Sequence, residues 1–131
     1  MLYTSGMNEK ILIVEDETSI LFALSEYFST LGYQVDSARE WEEAEALLAT
    51  RKYRLVLTDL RLTGFGGVEG LEIIGSVRQR SPETRIILLT GYGSSDVEEE
   101  ARRRGVDALL FKPTPLQEVA RIADTLIHGD S

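Results

Sequence analysis

Four stretches of this 131-residue chain put reactive side chains directly after apolar runs. Ile11-Leu12-Ile13-Val14 leads into Glu15, Asp16 and Glu17, and Leu55-Val56-Leu57-Thr58 leads into Asp59. Ile86-Ile87-Leu88-Leu89 leads into Thr90, and the run from Ala108 to Phe111 leads into Lys112. Taken singly, each has a plainer use: Asp16 as a helix N-cap, Thr90 as a turn residue, Lys112 as a solvated cation. Taken together they form one device. Clustered carboxylates repel one another and call for a cation. The chain has no cysteine and a single histidine, His128, so the donors are oxygens, which suit a hard ion, Mg²⁺. Mg²⁺ held by a few carboxylates keeps positions open for phosphoryl oxygens. An ammonium and a hydroxyl opposite are the groups that hold a phosphoryl.

The elements that must bring these residues together follow from hydrophobic spacing. Ile11 to Val14 is a continuous apolar run, the mark of a strand buried on both faces. Ile20, Leu21, Leu24, Tyr27, Phe28 and Leu31 form a helical stripe, closed by Gly32 at the C′ position. Tyr33 to Ala38 alternates with polar residues and reads as an edge strand. A helix over about 40–50 turns Trp41, Ala44, Leu47 and Leu48 inward, and Leu55 to Leu57 is a third strand. After a Gly-rich loop, Leu71, Ile74 and Val77 mark a helix broken by Ser81-Pro82. A fourth strand at Ile86–Leu89, a polar helix from Ser95 to Arg104 and a fifth strand at Ala108–Phe111 follow. The last helix is expected to start with Pro115 at N1 and to carry Leu116, Val119, Ala120, Ala123, Leu126 and Ile127 inward. This is an α/β chain, (βα)₅, with a doubly wound parallel five-stranded sheet of flavodoxin-like order 2-1-3-4-5. In such sheets sites form outside the carboxyl ends of the strands, where the reactive residues lie. The expected organisation is a tail over 1–9, one domain over 10–128 and a short tail over 129–131.

Composition narrows the function classes. Fourteen Lys and Arg stand against 22 Asp and Glu, a net charge of −8, which argues against nucleic-acid binding by this chain. The absence of cysteine removes disulfides, thiolate nucleophiles and Cys-ligated metals. No apolar run approaches the ~18–20 residues of a membrane span, and residues 1–8 lack the regions of a signal peptide. A cytoplasmic protein is expected.

The stretches Ile11-Leu12-Ile13-Val14-Glu15-Asp16-Glu17, Leu55-Val56-Leu57-Thr58-Asp59, Leu88-Leu89-Thr90-Gly91 and Phe111-Lys112-Pro113 together resemble the receiver domain of bacterial two-component response regulators, over about residues 10–127. The resemblance implies that Asp59 accepts the phosphoryl group of a phosphohistidine on a sensor histidine kinase or phosphotransfer protein. It implies Mg²⁺ bound by Asp16, by Asp59 and by the backbone carbonyl of Arg61, with Glu15 acting through water. Lys112 would pair with Asp59 and then with the phosphoryl group, and Thr90 would turn its hydroxyl toward it. Lys112–Pro113 is a candidate cis peptide. The resemblance also implies a switching face made of the fourth helix, fifth strand and fifth helix. That face would contact a downstream partner, an output domain or a second copy. Only four residues follow Ile127, so output is expected from outside this chain. Such a domain is a phospho-acceptor that catalyses its own phosphorylation and dephosphorylation, not a turnover enzyme.

The chain departs from the family pattern in two places. Leu109 stands where the family often has an aromatic switch residue, and Phe111 is assigned to the opposite face of that strand. After Asp59 the common Asp-x-x-Met-Pro-Gly is replaced by Asp59-Leu60-Arg61-Leu62-Thr63-Gly64, and four glycines fall within 64–70. That loop is either a tolerated insertion or a gate beside the acceptor. Arg61 and Tyr92, two positions after Asp59 and Thr90, are expected to set the phosphoryl lifetime by shielding it from water.

Other readings are weaker. Gly64 to Gly70 has Gly-x-Gly-x-x-x-Gly spacing and follows the third strand, unlike a dinucleotide loop. A flavin phosphate would face Glu15, Asp16 and Glu17. A haloacid-dehalogenase-type phosphatase would need Asp-x-Asp where this chain has Glu15-Asp16-Glu17. Glu98-Glu99-Glu100 before Arg102-Arg103-Arg104 reads as a solvated helix with each Glu paired to an Arg at i+4. The alternative from another class is a receiver-like binding module that works without phosphorylation.

Overall fold

The structure, a computed structural model, describes residues 9–60, 69–91 and 94–129. Its elements alternate: β1 Lys10–Val14, α1 Thr18–Thr30, β2 Gln34–Ala38, α2 Trp41–Thr50, β3 Leu55–Thr58, α3 Glu69–Arg80, β4 Arg85–Thr90, α4 Ser95–Arg104, β5 Ala108–Phe111 and α5 Leu116–His128. The strands pair in parallel in the order β2-β1-β3-β4-β5, as expected.

Alternation of side chains along each strand explains the continuous apolar runs. Ile11, Ile13, Leu55, Leu57, Ile87 and Leu89 enter one core with Leu24 and Phe28 of α1 and Val119 and Ala123 of α5. Leu12, Val14, Val56, Ile86 and Leu88 enter the other with Ala44 of α2, Ile73, Ile74 and Val77 of α3 and Ala101 of α4. The runs Ile11–Val14, Leu55–Leu57 and Ile86–Leu89 of the central strands are therefore apolar at every position because both of their faces are covered, whereas edge strand β2 keeps Gln34, Asp36 and Ser37. Trp41 packs at the margin of the second core.

Helix ends follow local chemistry. Gly32 adopts φ 100° after α1, and the Tyr33 amide donates to the Phe28 carbonyl. Ser94 caps α4, its hydroxyl accepting from the Val97 amide at 3.3 Å, and Gly105 closes that helix with φ 104°. Pro115 is not the first helical residue of α5. With ψ 144° it is the N-cap, and its carbonyl accepts from Glu118 and Val119.

Two further expectations are corrected. Arg103 pairs with Glu100, three residues back, rather than with Glu99, and Arg104 shares that carboxylate. Phe111 is not on the opposite face from Leu109, because residues two apart in a strand point the same way. Leu109 packs half-buried against the α2–α4 core, while Phe111, at the strand end, is 49% exposed.

Candidate phospho-acceptor site

Parallel register brings the strand ends level. Val14 pairs with Thr58 across β1 and β3, so Glu15 and Asp59 follow side by side. The Asp59 amide donates to the Val14 carbonyl at 3.0 Å and the Glu15 amide to Ala38 at 3.0 Å, extending the ladders one step past the strands. On the other side Thr90 pairs with Phe111, and the Lys112 amide donates to the Thr90 carbonyl at 2.9 Å. Asp16 is not used as a helix cap: Glu17 is the N-cap of α1, and its side chain makes no capping hydrogen bond.

The side chains converge. Lys112 Nζ donates to Glu15 Oε1 at 2.9 Å and to Asp59 Oδ2 at 3.1 Å. The second Asp59 oxygen accepts from the Leu60 amide at 2.6 Å, and Glu15 Oε2 accepts from the Glu17 amide at 3.1 Å. Glu15, Asp59 and Thr90 are buried, at 2%, 8% and 2% exposure, and Asp16 is half-buried. Glu15, Asp16 and Asp59 each offer one carboxylate oxygen, all within 4.8 Å of one another. Lys112–Pro113 is cis.

The electrostatics show a shortage of positive charge. Burial pushes the Glu15 carboxyl above its usual range. Its bond to Lys112 opposes that rise, and repulsion from Asp59 adds to it. Asp16 is also raised, by burial first and then by Asp59. Burial alone would lower the Lys112 ammonium, but the bond to Glu15 and the charges of Asp59 and Glu15 raise it instead. The raised acids and the raised ammonium are compatible: the one cation, bonded to Glu15 and Asp59, holds its own proton, while burial still keeps Glu15 and Asp16 above their usual range. Oxygen-only donors so arranged fit a hard divalent cation.

Sequence reasoning missed two neighbours of this site. Gly70, second residue of α3, lies so close that a Cβ there would stand 2.4 Å from the Asp59 carbonyl oxygen. In the sequence it is one of the four glycines within 64–70. Arg39, just after β2, donates to the Asp16 carbonyl at 3.4 Å. Leu109 sits in the core beneath this edge. Arg61, Tyr92 and most of the Gly-rich loop lie outside the described residues.

The sequence model of the family described as "Response regulator receiver domain" matches residues 11–124. The chain belongs to that family. This receiver domain is 33% identical over 113 residues to sporulation initiation phosphotransferase F of Bacillus subtilis, covering 86% of this chain and 89% of that protein. It is 34% identical over 120 residues to response regulator protein PilR of Pseudomonas aeruginosa, covering 92% of this chain but only 26% of PilR. Among solved structures it resembles a CheY-like response regulator receiver domain protein of Methanospirillum hungatei JF-1 (TM-score 0.83, 28% identity, 91% of this chain and 94% of that one). It also resembles a response regulator protein of Burkholderia pseudomallei described with a phosphorylated aspartic acid, a calcium ion and citrate (TM-score 0.79, 27% identity, 92% and 66%). Receiver domains are the phospho-acceptors of two-component systems. Among the described residues no helix is long and apolar enough to cross a membrane.

Proposed function

We propose that Asp59 is the phospho-acceptor of this receiver domain and that the phosphoryl donor is a phosphohistidine of a sensor histidine kinase or phosphotransfer protein. The observation that carries this reading is the Lys112 ammonium shared by Asp59 and Glu15 within the acidic cluster. An Asp59 carboxylate oxygen forms the new O–P bond as the P–N bond breaks, and the bonding pair returns to the imidazole nitrogen. Asp16, Asp59 and the main-chain carbonyl of Arg61 would hold Mg²⁺, with Glu15 acting through water. The ion offsets repulsion between phosphoryl oxygens and carboxylates.

Lys112 follows the negative charge from the carboxylate to the phosphoryl group. Thr90, at the end of β4, would donate its hydroxyl to a phosphoryl oxygen and draw the following loop inward. Arg61 and Tyr92 would shield the acyl phosphate from water, and Arg61→Ala with Tyr92→Ala together should shorten its half-life. The domain is not a turnover enzyme on external substrates. Its output would pass through the α4-β5-α5 face to a partner, an output domain or a second copy, and half-exposed Phe111 lies on that face. The unit would span 10–128, with tails on either side, in the cytoplasm.

The test is intact mass after incubation with Mg²⁺ and acetyl phosphate. One phosphoryl added to the parent and none to Asp59→Asn supports the reading. No addition to the parent, from acetyl phosphate or from the cognate kinase, would return the domain to the phosphorylation-independent binding module.

A further inference from the structure

The route expected to carry the phosphorylation signal runs through Thr90, and the aromatic residue that often relays it is Leu109 here. A second physical link joins the acceptor to α4. Gly70 in the first turn of α3 rests on the acceptor's main chain: its amide donates to the Leu60 carbonyl at 2.9 Å, and its missing Cβ leaves room for the Asp59 carbonyl and for Leu60 Cα. The next residue, Leu71, is buried at 6% exposure. Its carbonyl accepts a bond from Arg104 Nη1, in the last turn of α4, at 3.0 Å. Arg104 is itself held by Glu100, whose Oε2 accepts from Nε at 2.7 Å. At the far end of α3, Arg78 reaches across to the Gly105 carbonyl with Nε at 3.1 Å and Nη2 at 2.9 Å. Two arginines, one from each helix, thus hold the C-terminal end of α4 against α3.

We propose that Arg104 is a positioning residue for the phospho-acceptor: by clamping the Leu71 carbonyl it holds the first turn of α3 against the Asp59–Leu60 main chain. The position of α4 and the orientation of the acceptor are then linked without an aromatic switch. An acceptor carboxylate aimed by a short bond to the Leu60 amide is sensitive to this, because that amide moves with the peptide on which Gly70 rests. Linkage makes the effect reciprocal at equilibrium: whatever shifts α4 biases the acceptor main chain, and a change at the acceptor biases α4.

This inference rests on Asp59 as acceptor, and its test separates the two. Amide hydrogen exchange at Leu60 and Gly70 is measured by NMR in the parent, Arg104→Gln, Arg104→Lys and Arg103→Ala. Phosphoryl uptake from acetyl phosphate is timed on the same samples. Arg104→Gln should speed exchange at both amides by about tenfold while the β1 amides keep their rates. Arg104→Lys, which can still donate to a carbonyl, should restore most of the protection, and Arg103→Ala should behave as the parent. Uptake in Arg104→Gln should slow several-fold. Unchanged exchange at Leu60 and Gly70, equal loosening of β1, an equal effect of Arg103→Ala, or altered exchange with unaltered uptake would each overturn the proposal. Absence of uptake in the parent would instead defeat the acceptor reading, and the exchange rates would still decide the clamp.

Discussion

Lys112 and Glu15, 97 residues apart in the chain, are in direct contact, Nζ donating to Oε1 at 2.9 Å with Glu15 almost wholly buried. The same ammonium holds Asp59 at 3.1 Å. Removing it leaves two buried carboxylates without that cation. Lys112→Met should cost about 2–3 kcal/mol in a urea titration. Adding Glu15→Gln should recover part of that loss, giving a measurable coupling energy in a double-mutant cycle. Strict additivity of the two changes would show that the pair is not coupled.

Asp16 predicts a pH dependence of the opposite sense to a salt-bridged acid. Its carboxyl is raised by burial and by Asp59. A raised folded value means that its stabilising contribution is complete below the ordinary value near 3.8 and is lost as pH rises through the folded one. Without metal, Asp16→Asn should therefore melt a few degrees above the parent at pH 7. The gap should close as pH falls toward the ordinary range. Added Mg²⁺ should raise the parent more than the variant, because only binding to the folded state stabilises.

Two glycines of α3 should respond with opposite signs. A Cβ at Gly70 would meet the Asp59 carbonyl at 2.4 Å and Leu60 Cα at 2.7 Å, both main-chain atoms. Gly70→Ala should cost about 1–3 kcal/mol and impair phosphoryl uptake. A Cβ at Gly75 meets nothing within 4 Å. Gly75→Ala should stabilise by about 0.5–1 kcal/mol, since alanine restricts the unfolded chain and favours helix. Equal effects at the two positions, read from urea midpoints, would contradict this packing.

Arg78 joins three segments. It donates to the carbonyls of Gly105, Pro82 and Thr84 and pairs with Asp107 at 2.8 Å, while Asp107 also accepts from the Ile86 amide. Arg78→Ala should lower stability by about 2–3 kcal/mol, because partly buried acceptors lose their donor. The exposed Arg121 pair with Glu118 predicts no measurable change for Arg121→Ala. A urea midpoint for Arg78→Ala matching that of Arg121→Ala would refute the bridging role.

Much of this domain was determined by the sequence alone. Runs such as Ile86 to Leu89 are apolar at every position because both sheet faces are covered, and that constraint is local enough to read without coordinates. The alternation of strands and helices then forces a parallel sheet, and parallel strands end at one edge, so Glu15, Asp59, Thr90 and Lys112 had to share it. Tertiary structure alone decided what happens between elements. That Lys112 bridges Glu15 and Asp59, that Gly70 lies against the acceptor's main chain and that Arg104 reaches Leu71 depend on helix crossing and strand register. Arg103 choosing Glu100 over Glu99 is a side-chain choice within α4, which i,i+3 and i,i+4 spacing alike allow. Periodicity specifies which face of an element is buried. The contacts across that face depend on the distance and angle between elements, which no residue spacing encodes.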